Sequence, residues 1–280
     1  MGTFITVTSI ILGVFVLFLL AFLFIIAPST GRRRKMERFK NLRYAHRGLH
    51  DETKPENSLS AFRAAVDRGF AIELDVRLSS DGELVVFHDD TLERAAGVKA
   101  RVDKVAASEL KKVKIFGTDE GIPTFAEVLE LVGGRVPLLV EIKEDAGKYC
   151  VTEKTIEALS KYNGPFVIES FNPLALGLVK KKMPRALRGV LSENFLEEKR
   201  YRKPMYFFLQ FMLLNVVCRP DFIAFSHTGH KNAALKICRT LFKTPTLAWT
   251  VRSEREERVA IWNKFDGVIF ENYLPLGRDI

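Results

Sequence analysis

Four short apolar runs in this chain each stop at charged residues that a strand core would not choose. Tyr44-Ala45 leads into His46-Arg47-Gly48, Phe70-Ala71-Ile72 into Glu73-Leu74-Asp75-Val76, Leu84-Val85-Val86-Phe87 into His88-Asp89, and Pro137-Leu138-Leu139-Val140 into Glu141-Ile142-Lys143. Residues two apart on a strand share a face, so Glu73 points with Asp75, and Glu141 with Lys143. Each end alone reads equally well as a solvated strand face or a turn. Four in succession need only one assumption, a shared polar site at the carboxyl ends of strands. Two carboxylates on one face are costly to bury without a cation or a proton between them, which makes Glu73 and Asp75 a candidate site for a hard divalent metal.

The intervals between these runs predict alternating strands and helices. Asn57 is expected to cap a helix carrying Leu59, Phe62, Ala65 and Val66 that stops at Gly69. Asp81-Gly82 reads as a tight turn, which makes the Leu84 run a hairpin partner of the Glu73 strand. Residues 90–122 are mostly polar and read as an insertion. Thr124 and Glu127 form a capping-box pair for a helix ending at Gly133. Further strands are expected at Val136–Lys143, Phe166–Ser170, Leu187–Leu191, Asp221–Ser226, Thr246–Val251 and Gly267–Phe270. With the runs at Tyr44 and Ile72 the count is eight, matching a (β/α)8 barrel, with a doubly wound α/β sheet as the alternative. The run Met205–Val217 admits two readings. It is a barrel helix buried under the insertion, or a second membrane contact whose Phe and Leu enter the interface while Lys199, Arg200, Arg202 and Lys203 meet headgroups.

No charged residue lies between Thr3 and Ala27. As a helix rising about 1.5 Å per residue, this run crosses a hydrocarbon core of about 30 Å. A cleaved secretory signal would carry basic residues ahead of a shorter apolar core. Of the formal net charge of +9, residues 32–43 supply seven positive charges against Glu37. The excess is therefore juxtamembrane, suits anionic lipid headgroups, and places the following chain in the cytoplasm with the N-terminus outside. No nucleic-acid motif is present. The expected organisation is a transmembrane anchor over 1–31, a basic juxtamembrane linker over 32–42 and a barrel over 43–280, with the insertion at about 90–122. Cys150, Cys218 and Cys238 lie in no metal-spaced motif and read as reduced structural thiols.

The motifs HRG, PEN ahead of an Ala-Phe helix, IELDV, DG followed by VVFHD, and VEIK resemble, in this order, those of the glycerophosphodiester phosphodiesterases. The likeness runs from about Tyr44 to about Tyr273. It implies a (β/α)8 TIM barrel that hydrolyses glycerophosphodiesters such as glycerophosphocholine or glycerophosphoethanolamine to an alcohol and glycerol 3-phosphate, with one Mg²⁺ or Ca²⁺. It implies Glu73, Asp75 and Glu141 as metal ligands and His46 and His88 as the acid and base, with their assignment open. Arg47 and Lys143 would contact the phosphate, Lys143 having a plain salt bridge as its other reading. Phe171 and Trp249 are candidates for the wall that holds the alcohol, or else core residues, and Asn57 caps its helix or supports the site. His50 is expected to be solvated and His227 and His230 to serve a turn. Arg252 and Glu271-Asn272 depart from the pattern, which bears on the substrate. Competing readings are a lysophospholipase D-type enzyme acting on a lysolipid phosphodiester, a silent headgroup-binding barrel, and a phosphatidylinositol-type phospholipase C barrel.

Overall fold

The computed structural model describes residues 2–144, 148–197 and 203–275. Lys199, Arg200 and Arg202 of the expected headgroup cluster, and the last residues of the 43–280 barrel, lie outside the described residues. The strands are β1 (Arg43–Ala45), β2 (Ala71–Leu78), β3 (Leu84–Val86), β4 (Leu138–Ile142), β5 (Phe166–Ser170), β6 (Arg188–Ser192), β7 (Phe222–Ser226), β8 (Thr246–Val251) and β9 (Gly267–Phe270). All but β3 run parallel and close on themselves, β1 pairing with both β2 and β9. The result is an eight-stranded barrel of the TIM type, and β3 lies outside it, antiparallel to β2, as the Asp81-Gly82 turn required.

Helix boundaries follow local chemistry with one correction. The helix Leu59–Arg68 is capped by Ser58, whose hydroxyl accepts from the Ala61 N–H, and not by Asn57. Asn57 sits in the left-handed region at φ +56°, and its amide is committed to Asp75 instead. Gly69 terminates the helix at φ +72° as expected, and Thr124 with Glu127 forms the full capping box on Phe125–Val132.

Two packed layers hold the barrel. Between strands and helices lie residues such as Phe62, Ile72, Leu138, Ile168, Leu176, Ile223 and Phe270. Inside, at the amino ends of the strands, Tyr44, Leu139, Val167, Phe222 and Leu247 pack around Met36 and Phe39. The segment expected as a linker therefore folds against the barrel. Met36 and Phe39 plug its floor, and Arg32 forms a bidentate pair with Asp221 at 2.9 and 2.7 Å. The insertion has a small core of its own from Val85, Phe87, Leu92, Val102, Leu110 and Ile115.

The N-terminal run is a helix, Gly2–Ile26, long and apolar enough to cross a membrane and almost wholly exposed until its last turn. There it is built into the barrel flank. Ile26 is fully buried, and its carbonyl accepts from Asn215 Nδ2 at 2.9 Å and from the Cys238 thiol at 3.5 Å. Arg219 donates to the carbonyls of Phe24 and Ala27 and stacks 4.5 Å over the Phe24 ring. These are the orphan carbonyls of a helix end, met by a cation where the helix dipole favours one. Cys218 and Cys238 are free thiols that burial pushes up to about 12, consistent with structural roles.

The run from Met205 is not one buried helix. It forms Pro204–Gln210, none of whose residues is buried, and Asn215–Cys218, separated by a reversal at Met212, which has φ +54°. The insertion packs on β3, which lies beside β2.

Candidate active site

The carboxyl ends of the barrel strands converge on three buried carboxylates. Glu73 and Asp75 project from β2, and register pairs Asp75 with Glu141 on β4. One oxygen from each of the three lies within 4.8 Å of the others. Lys143 Nζ bridges two of them, at 3.1 Å from Asp75 and 2.7 Å from Glu141. Arg47 approaches from the loop after β1. Its backbone N–H donates to Glu73 at 2.9 Å, and its guanidinium lies 3.4 Å from Asp75 and 2.7 Å from Glu56. Gly48 permits this loop, since it has φ +86° and a Cβ there would sit 2.9 Å from Ala61.

The electrostatics divide the trio. Burial, reinforced by the charges of Asp75 and Glu141, raises Glu73 well above the usual carboxylate range. Burial likewise raises Glu141, against the pull of Lys143. Asp75 is also penalised by burial, but Lys143, His88, Arg47 and the Asn57 amide at 2.9 Å hold it well below that range. A fourth carboxylate, Glu169 on β5, stands in register with Glu141. It is buried, its Oε2 has no hydrogen-bond partner among the described residues, and burial with Glu141's charge raises it strongly. Oxygen-only donors crowded to this degree fit a hard divalent cation, which would relieve their mutual repulsion.

Both histidines are held by carboxylates. His46 Nδ1 meets Glu271, and His88 Nδ1 meets Asp89 at 2.7 Å. An ionised carboxylate only accepts, so each Nδ1 carries the proton and each Nε2 is left for chemistry. Burial lowers His46 and so favours the neutral ring, against the Glu271 hydrogen bond, which favours the charged one. His46 Nε2 lies 3.9 Å from Glu73, placing it beside the carboxylate trio.

Sequence reasoning missed several residues that complete this arrangement. Glu271 was visible only as a departure from a pattern, and His50, expected in solvent, is largely covered and lies 3.8 Å from it. Arg94 of the insertion donates to Asp89 at 2.6 Å and to both oxygens of Glu56 at 2.7 and 3.0 Å, linking the partners of His88 and Arg47. Glu169 carried the same signal as the other strand ends, an apolar run closing on a carboxylate. Phe171 and Trp249 meet edge to face at 5.5 Å beside the mouth, and the Trp249 indole N–H is buried without a partner among the described residues. His227 and His230 lie in the turn after β7.

Known proteins resemble this chain in sequence and fold. The profile of the glycerophosphoryl diester phosphodiesterase family matches residues 46–273. A glycerophosphodiester phosphodiesterase of Caldanaerobacter subterraneus subsp. tengcongensis is 39% identical over 170 residues, covering 57% of this chain and 70% of that protein. A human lysophospholipase D is 30% identical over 156 residues, 51% of this chain and 48% of its own length. Among solved structures, a phosphodiesterase of Oleispira antarctica in complex with the product sn-glycerol-3-phosphate superposes with a TM-score of 0.69 at 25% identity, covering 84% of this chain and 94% of that one. The glycerophosphodiester phosphodiesterase of Thermotoga maritima gives 0.64 at 28% identity, with 82% and 93% covered. The match begins at the histidine that follows the first strand and runs beyond the last, and the chain accordingly belongs to the glycerophosphoryl diester phosphodiesterase family.

Proposed function

We propose that this phosphodiesterase is a membrane-anchored, divalent-metal-dependent enzyme that cleaves glycerophosphodiesters such as glycerophosphocholine and glycerophosphoethanolamine to the free alcohol and glycerol 3-phosphate. The observation that carries it is the convergence of two carboxylate-held histidines, three buried carboxylates, Arg47 and Lys143 on one end of the barrel. Glu73, Asp75 and Glu141 would hold Mg²⁺ or Ca²⁺, which supplies charge withdrawal from the phosphoryl oxygens and acidification of the attacking oxygen. The neutral His46 accepts the nucleophile's proton at Nε2 while Glu271 fixes its tautomer. His88, oriented by Asp89, donates a proton to the departing alkoxide from Nε2. Arg47 and Lys143 bring positive charge to the phosphate. Phe171 and Trp249 line the alcohol side.

The apolar helix serves as a retained anchor. Cleavage after Ile26 would strip the barrel of a buried side chain, leave Asn215 without the carbonyl it serves and take from Arg219 that of Phe24. On this reading residues 1–31 anchor, 32–42 join anchor to barrel, and 43–280 form the barrel, with the N-terminus outside and the barrel in the cytoplasm. A second reading takes a lysophospholipid as substrate, released headgroup-first as a lysophospholipase D would, and is favoured by the exposed apolar helix Pro204–Gln210 near the mouth.

The deciding assay uses the full chain in detergent with glycerophosphocholine. EDTA should abolish glycerol 3-phosphate release and added Mg²⁺ or Ca²⁺ restore it, while Glu73→Gln and His88→Ala each lower kcat by about 10² to 10⁴. Release that persists in EDTA, or in His88→Ala, would refute the metal and histidine roles.

A further inference from the structure

The helix Pro204–Gln210 turns Met205, Phe207 and Phe208 outward, with 54, 47 and 43% of their surface exposed, and Leu196 in the preceding turn adds a further 49%-exposed apolar side chain. Two hydrogen bonds pin this patch to the barrel and a third ties its two pieces together. Ser192, the last residue of β6, donates to the Leu209 carbonyl at 3.0 Å, Asn232 Nδ2 donates to the Gln210 carbonyl at 3.2 Å, and the Leu196 N–H donates to Gln210 Oε1 at 2.9 Å. The patch is thus a fixed part of the rim at the carboxyl end of β6.

Behind it runs an unbroken row of rings. Tyr206 lies 5.3 Å from Phe195, Phe195 lies 6.1 Å from Phe171, and Phe171 lies 5.5 Å from Trp249. The row begins on the exposed helix and ends at the wall of the active site. In the other direction the chain continues into Asn215–Cys218, the piece that receives the last turn of the N-terminal helix through Asn215 and Ile26. The same stretch of chain therefore connects the rim of the mouth to a helix whose own surface needs hydrocarbon around it. That continuity selects a bilayer over a second copy of the chain as its cover, and a Met- and Phe-bearing surface suits the disordered acyl boundary.

We propose that Pro204–Gln210 is an interfacial foot. Met205, Phe207 and Phe208 enter the same bilayer that holds the N-terminal helix, and Tyr206 and Phe195 behind them guide the acyl chain of a single-chain phosphodiester lipid from that bilayer toward the mouth, short of the Phe171 and Trp249 wall that faces the leaving headgroup alcohol. This rests on the lysophospholipid reading and supplies the route that reading needs.

The test uses the full chain reconstituted in phosphatidylcholine vesicles and has two readouts. The fluorescence added by Phe207→Trp should be quenched by brominated acyl chains. Met205→Ser, Phe207→Ser and Phe208→Ser combined should lower kcat/KM toward vesicle-borne lysophosphatidylcholine at least about tenfold, the worth of roughly one buried apolar side chain, and leave glycerophosphocholine hydrolysis within about twofold. Absence of quenching overturns the proposal, whether or not the chain self-associates through the patch. So does an equal loss on both substrates. A wild-type chain inactive on both would instead refute the proposed function, and the quenching would still decide the insertion.

Discussion

At His46 the ring is fixed by a carboxylate that lies 225 positions further along the chain, Glu271. Burial alone would raise this carboxyl, but the hydrogen bond from His46, the nearby His50 ring and the charge of Arg252, 2.7 Å away, hold it well below its ordinary range. A depressed carboxylate contributes stability that is complete above its unfolded pKa of about 4.3 and is lost as pH falls through the folded value. The melting-temperature gap between the wild-type chain and Glu271→Gln should therefore be widest near pH 7 and should narrow steadily below about pH 4.3. An equal gap at pH 7 and pH 3 would show that the contact is not ionic. His46, Arg47, Glu73, Asp75, His88, Glu141 and Lys143 were legible in the sequence because each lies within three residues of an apolar strand run, where charge has no packing reason to be. Glu271, Glu56 and Arg94 were not, since each acts from outside the strand ends on a partner that only the fold brings near.

Among the elements, the insertion after β3 looks peripheral and is not. Arg94, from its short helix Glu93–Ala96, is the one link that joins Asp89, partner of His88, to Glu56, partner of Arg47, among the contacts described above. Its side chain also stacks 5.2 Å from the Phe116 ring at the far end of the insertion. Groups that orient a catalytic or phosphate-binding side chain are commonly worth about 10- to 100-fold in activity. Arg94→Leu should cost about that much in kcat/KM, divided between a lower kcat through His88 and a higher KM through Arg47, with an unchanged far-ultraviolet circular dichroism spectrum. A loss confined to kcat would detach the residue from Arg47. Strand positions were readable to within one or two residues because each is a self-contained apolar run with a turn signal at either side. The Met205–Val217 run misled as a buried helix, since composition records how apolar a segment is and not what lies beside it.

For the molecule as a whole, the floor of the barrel is made by residues that precede it. Met36 and Phe39 are fully buried among Tyr44, Val167, Phe222 and Leu247, and the Tyr44 hydroxyl donates to the Phe39 carbonyl at 2.6 Å. A chain starting at residue 43 should lose about 3–6 kcal/mol from these two side chains and melt on the order of 10 °C lower than the full chain in the same detergent. A melting temperature within a degree or two would mean that the floor can be left open. The eight-strand count was available from the sequence; the floor was not, because a short basic segment gives no sign that its two apolar residues point into a barrel. The closing seam between β1 and β9 carries a temporal consequence. A ribosome adding about 5–20 residues per second needs tens of seconds to travel from the first strand to the last. Through that interval the first strand waits with an unpaired edge, and His46 has no carboxylate to orient it. Emergence of the ninth strand and of Glu271 behind it is thereby the event that completes the site, so a chain halted before that strand holds both histidines and still lacks the oriented pair.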